Sequence, residues 1–226
     1  MDVAWFLNRR LDFIRQLYAT SSAPFVDRRA KIESAEEPWI PPYSEDGEPP
    51  FQLEWQEAND SVDVLGHMCV CLLASSLQAY LQTRVILDYG KLTDEENRHA
   101  FKKREGWIRG YNIIFTEAFG IPFEEGPVSL DALEDIVLTR NSIQHEIELT
   151  SIRPRHADRK SGAARSVFLD AGEVELFDGI DQDATTWFSP PTVHVNRETL
   201  ESSINTVQRF VAWLDAAIEK KLHGQG

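Results

Sequence analysis

Three residues on one stretch, Arg140, Asn141 and His145, have the types and spacing to act on a phosphate. An arginine offers a permanent planar fork for two anionic oxygens, and a histidine carries a proton near neutral pH. The stretch is also written as a helix. Leu130, Leu133, Ile136, Val137, Ile143 and Ile147 recur on a 3.6-residue period, and Arg140 falls near the middle of that apolar stripe. A guanidinium cannot give up its charge, so at such a position it must meet an anion, line a cleft or face another chain. Asn141 and His145 are four apart and therefore neighbours, on a flank roughly 100 to 140° round from Arg140 by helix geometry. Two bland alternatives stand beside this one: Arg140 pairs with a buried acid such as Asp63 or Glu134, and His145 is a satisfied histidine on a helix flank.

The pattern Arg-Asn-x-x-x-His inside a helix, within a chain that reads as helices of suitable length over roughly residues 55–222, resembles the signature of the HEPN (higher eukaryotes and prokaryotes nucleotide-binding) domains. Many members of that family are metal-independent endoribonucleases. The resemblance implies Arg140, His145 and Asn141 as catalytic residues: the arginine on the scissile phosphate, the histidine as proton carrier, and Asn141 orienting the imidazole or donating to a phosphate oxygen. It implies no metal and no cofactor. It also implies a homodimer, because the motifs of two protomers then line one cleft and supply the second proton carrier. RNA, such as a tRNA, is the expected substrate, in the setting of a toxin with its antitoxin or of a phage-defence system with a partner protein. A non-catalytic HEPN-like module that binds a nucleotide or a protein partner is the competing reading.

Charge qualifies the substrate. The chain is formally −14 with a pI near 4.8, which argues against a general nucleic-acid coat, since such binding runs on neutralising phosphates. Two stretches depart from that balance. Residues 98–109 carry Arg98, Lys102, Lys103, Arg104 and Arg109 against Glu105. Residues 153–165 carry Arg153, Arg155, Arg159, Lys160 and Arg165 against Asp158. Arg153, Arg155, Arg159 and Lys160, directly after the motif, are candidate RNA-binding residues, with docking of an acidic partner or a solvated basic face as the alternatives.

The elements that must position these residues can be laid out along the chain. With 226 residues, a 42% hydrophobic share and a 27% charged share, the expectation is a single globular domain over residues 1–226. Its elements read as mainly α, and the resemblance implies a HEPN-like antiparallel helical bundle. Residues 1–54 read as an amphipathic helix over 3–19, a shorter helix over 25–36, and a proline-rich acidic strap whose Trp39, Ile40 and Tyr43 anchor to the body. Residues 55–150 and 196–223 read as the helical core. Within it lie a long helix from Gln56 to Tyr89 stopped by Gly90, and a Thr93-to-Glu96 capping box. A helix with possible kinks at Gly106 and Gly110 follows, then the motif helix opened by Ser129, and a last helix opened at Asn196. Residues 151–195 read as a basic loop and a small β insertion, with two strands turning at residues 170–172 and a third over 192–195.

Cys69 and Cys71, two apart on a helix, point to different sides and read as core or near-core thiols without a mutual disulfide. His67 and Cys71 share a face, but no cluster completes a metal-ligand set. The longest apolar run, Met68 to Ala74, is short of a membrane span, and the N-terminal residues lack a signal layout, so the expected setting is cytoplasmic and not membrane-bound.

Overall fold

The computed structural model describes residues 2–42, 49–101, 106–144, 166–179 and 191–223. Among these the chain is helical: α1 (Val3–Glu33), α2 (Gln52–Asp88), α3 (Asp94–Ala100), α4 (Trp107–Phe119), α5 (Leu130–Gln144), α6 (Ala171–Asp178) and α7 (Arg197–His223). A mainly α architecture with a helical bundle is thus what the periodicity produces.

The frame is an antiparallel hairpin of the two longest helices. At its closed end Arg29 bonds Asn59 at 3.0 Å and lies 5.1 Å over the Trp55 ring, and the Trp55 indole N–H donates to Glu33 at 2.8 Å. Along the hairpin α1 buries Leu7, Leu11, Ile14 and Tyr18, and α2 buries Val62, Cys69, Val70, Leu73, Leu77, Tyr80 and Leu81. The expected break between two N-terminal helices does not occur. Pro24 sits inside a continuous α1, where it removes one backbone donor; the buried stripe lies wholly before it, and after it the half-buried Phe25 and the Arg29–Asn59 bond hold the helix against its neighbours.

Helix α7 closes the hairpin through polar clasps around a buried stripe of Leu200, Ile204, Val207, Phe210, Val211, Leu214 and Ile218. On α1, Arg15 bonds Glu201 (2.7 Å), Asn205 (2.7 Å) and Gln208 (2.8 Å). On α2, Arg84 pairs with Asp88 and Asp215, and the Tyr80 hydroxyl donates to Asp215. Burial raises the Asp88 carboxyl, and burial together with that bond raises the Tyr80 phenol.

The local signals that start and stop the helices act as read. Gly90, at a left-handed φ of 110°, follows α2; Thr93 and Glu96 form the reciprocal capping box of α3; the Ala132 N–H bonds Ser129 Oγ at 3.2 Å; and the Thr199 N–H bonds Asn196 Oδ1 at 2.9 Å. Phe101 ends α3, and Gly106 at φ 77° precedes α4, so the expected single kinked helix is two helices. Gly110 brings them close: a Cβ there would meet the Phe101 ring at 2.4 Å. Tyr111, Ile114 and Phe115 of the aromatic stripe on α4 are core. In the strap, Trp39 packs edge-on against Phe51 with ring centroids 5.3 Å apart, whereas Ile40 is exposed and anchors nothing; Tyr43 lies outside the described residues.

The β insertion is overturned for the residues described. Where two strands were expected to turn at residues 170–172, Asp170 instead caps a helix: its carboxylate accepts the Gly172 N–H at 2.8 Å and the Glu173 N–H at 3.0 Å, opening α6. An Asp-x-Gly sequence suits a tight turn or a helix start, and two free backbone donors decide for the latter. What remains of the sheet is one antiparallel bridge, Leu169 with Val193.

Candidate functional site

The motif helix α5 packs against α2 and α4, and it spends its aliphatic stripe there. Leu130, Leu133, Ile136 and Val137 are buried within this chain. Ile143 is half-buried against the same core, and Ile147 lies outside the described residues. Arg140 lies on the Leu133–Val137 line, one turn beyond Val137, and it is partly buried.

Both acids proposed as its neutral explanation are engaged elsewhere. Glu134 is held by the Arg109 fork from α4, with Nε at 2.6 Å and Nη2 at 2.8 Å, and Arg109 also approaches Asp131 at 3.6 Å. That hydrogen bond to Glu134 raises the Arg109 guanidinium above its ordinary value. Asp63 is taken by His194. Among the described residues Arg140 makes one polar contact, Nη1 to the Asn141 side-chain oxygen at 2.8 Å, and no carboxylate pairs with it. Asn141 therefore meets Arg140 through its acceptor oxygen and keeps its amide donors.

Arg140 is near enough to Cys71 on α2 for its charge to act on the thiol. Burial pushes the Cys71 thiol up, and the positive charge of Arg140 pulls it back. Cys69, on the buried side of α2, has no such neighbour and is raised by burial to about 11. One turn before Cys71, His67 donates its Nε2–H to the Val193 carbonyl at 2.9 Å, so it is a structural donor. Among the described residues no group of three or more His, Cys, Asp or Glu side chains could hold a metal ion. The expected role of His145 and of Arg153, Arg155, Arg159 and Lys160 falls on positions outside the described residues, as do Lys102, Lys103 and Arg104.

The segment that returns across this helix pair is fitted closely. Gly66 lets residues 193–195 lie directly on α2, since a Cβ there would sit 2.3 Å from the Val195 carbonyl oxygen. Val193 and Val195 turn inward, and His194, between them, turns to Asp63. The Val167 N–H donates to Asp135 on α5 at 3.0 Å, so the bridged pair of segments spans α2 and α5.

His194 is the titratable group that the sequence reading missed. Its Nδ1–H faces Asp63 at 3.1 Å; its Nε2–H faces Glu173 on α6 at 3.2 Å and the Thr192 hydroxyl at 2.9 Å. The bond to Asp63 outweighs burial and, with Glu173 adding, raises the imidazole to about 9. A ring that is cationic through neutral pH donates from both nitrogens and cannot act as a base there. It therefore works as a charged clasp joining α2, α6 and residues 192–194. Alternation in Thr192-Val-His-Val placed His194 opposite the two valines, and that was the available signal; nothing in sequence put Asp63 or Glu173 beside it.

By length and composition α2 is able to cross a membrane, a property that the short Met68-to-Ala74 run did not disclose; 56% of its apolar window is buried inside the fold, as in a core helix. No family model matches the chain, and no curated protein or solved structure matches it.

Proposed function

We propose that the chain is a metal-independent endoribonuclease of HEPN type, in which Arg140 clamps the scissile phosphate and His145 moves a proton. The observation that carries this reading is a partly buried, permanently charged guanidinium, without a carboxylate partner among the described residues, on an otherwise apolar stripe. Keeping such a charge costs stability, and an anionic ligand is what offsets the cost. The two acids that would have made it a structural ion pair belong to Arg109 and His194.

Cleavage without a metal needs removal of the 2′-hydroxyl proton, attack of that oxygen on phosphorus, protonation of the departing 5′-oxygen, and positive charge on the crowded phosphate. The products are a 2′,3′-cyclic phosphate and a 5′-hydroxyl. Arg140 supplies the charge in a bidentate form. The Asn141 oxygen accepts from Arg140, which in this reading leaves its amide to donate to a phosphate oxygen. One histidine serves one proton transfer, so in this reading a second copy of the motif serves the other, and the basic residues Arg153, Arg155, Arg159 and Lys160 hold flanking phosphates. The setting is a cytoplasmic toxin or phage-defence effector acting on a structured RNA such as tRNA.

Incubation of the purified chain with RNA in EDTA, with end-group analysis, tests it. Wild type should yield cyclic-phosphate ends, and His145→Ala and Arg140→Lys should yield none, the latter because a point charge does not reproduce the fork. If wild type and the double mutant degrade RNA equally, the activity is contamination. The alternative, a non-catalytic HEPN-like module binding a nucleotide or protein partner, then holds, since the Arg140–Asn141 pair suits anion binding without proton transfer.

A further inference from the structure

Helix α2 presents a second apolar line that, beyond the half-buried Leu65, is largely exposed among the described residues. Leu65, Leu72, Ala79 and Ile86 recur every seven residues, with Met68 and Ser75 interleaved three after the first and second of them, the spacing of a coiled-coil seam. Met68, Leu72 and Ile86 are 41% to 55% exposed, Ser75 and Ala79 are exposed, and no charged residue occurs between Val64 and Thr83. On α1 the exposed Phe6 and Phe13 are also seven apart.

The two lines share a side of the hairpin. Phe6 and Phe13 lie roughly 160 to 180° round α1 from Arg15, and Met68, Ser75 and Ile86 lie roughly 160 to 180° round α2 from Arg84. Both arginines reach α7, so both lines face away from it. A chain of net charge −14 that keeps one side of its longest helix free of charge over some twenty residues shields that side from water in its working state.

We propose that this α1–α2 face is the interface with a second copy of the chain, related by a two-fold axis that passes close to Ser75 and sets the two α2 helices antiparallel. The pattern is self-complementary about that point. Leu72 of one copy meets Ala79 of the other, large against small, on both sides of the axis. Leu65 meets Ile86, and the small pair of Ser75 residues lets the backbones approach. About half the surface of Phe6, Phe13, Val64, Met68, Leu72 and Ile86, with smaller shares from the rest of the seam, comes to roughly 700 Å² per copy, near the ~800 Å² per partner of a standard interface. Absence of charge selects a like surface over an RNA, whose phosphates would demand cations along the face. The inference concerns a different face from the buried α5 stripe and does not rest on the nuclease reading.

Analytical ultracentrifugation of the full chain tests it, with Leu72→Glu, and with Ser75→Cys and Ala19→Cys each placed in a Cys71→Ser background. Wild type should sediment as a dimer at tens of micromolar. Leu72→Glu should weaken the dimer at least ~30-fold while leaving the circular dichroism spectrum unchanged, and its urea midpoint should not depend on protein concentration, whereas that of the dimeric wild type should rise with it. Mild oxidation should cross-link Ser75→Cys across the axis and leave Ala19→Cys, on the α7 side of α1, monomeric in denaturing gels. A wild-type monomer throughout, a dimer indifferent to Leu72→Glu, or no preferential Ser75→Cys cross-link would overturn the proposal. So would a monomeric wild type that co-floats with phosphatidylglycerol vesicles and loses this with Leu72→Glu, which would assign the face to lipid.

Discussion

Replacing Arg140 with leucine separates a functional arginine from a structural one by the sign of the stability change. Were Arg140 half of a buried ion pair, its removal would strand a carboxylate and cost ~3 kcal/mol or more. Among the described residues it meets no carboxylate, only the Asn141 oxygen at 2.8 Å. Losing that bond from a partly solvated position costs about 0.5–1 kcal/mol. Against this, leucine extends the line of Leu133 and Val137, and placing roughly half of its side chain against apolar neighbours contributes ~1 kcal/mol. Release of the guanidinium from partial desolvation adds to the same side. The net expectation is ~1 kcal/mol of stabilisation, which for a chain of this length is an upward shift in Tm of about 2–4 °C. Urea unfolding followed by circular dichroism measures the first and a thermal melt the second, and RNA binding by the same preparation should be lost. A destabilisation of ~2 kcal/mol or more would refute the reasoning, since it would show that the charge supports the fold.

The His194 clasp gives stability a defined pH dependence. Its folded value of about 9 lies above the ordinary 6.5, so its contribution is fully present below pH ~6.5 and is lost as pH rises through about 9. The shift would correspond to ~3 kcal/mol in a dry site, but with 39% of the imidazole in water a discounted ~1 kcal/mol is expected. His194→Gln should therefore cost that much at pH 6 and almost nothing near pH 10 in denaturant titrations, and an equal cost at both would rule the charge out as the cause. Gly66→Ala puts a Cβ 2.3 Å from the Val195 carbonyl, a backbone atom that cannot swing aside, so a loss of ~3 kcal/mol is expected in urea unfolding. A loss under ~1 kcal/mol would show that residues 193–195 do not lie on α2.

The sequence by itself determined that the chain is mainly helical and where several helices start or stop. Periodicity of 3.6 is a property of neighbours in the chain, and so are the Thr93–Glu96 box, the Ser129 and Asn196 caps and the Gly90 stop, all formed by residues within five of one another. It also singled out Arg140, because a charge on an apolar line stands out without any partner being known. Tertiary structure decided the rest. Whether Pro24 ends a helix depends on what its flanks bury, and whether Asp170 turns a hairpin or caps a helix depends on pairing with residue 193, far along the chain. Which acid meets which cation was likewise beyond local reading. Glu134 and Asp63 were both available to Arg140 on paper, and they were claimed by Arg109 from α4 and by His194, 131 positions from Asp63 in the sequence. Ion pairs form between groups that the packing of helices brings within about 4 Å, and that distance is set by the core and not by spacing along the chain.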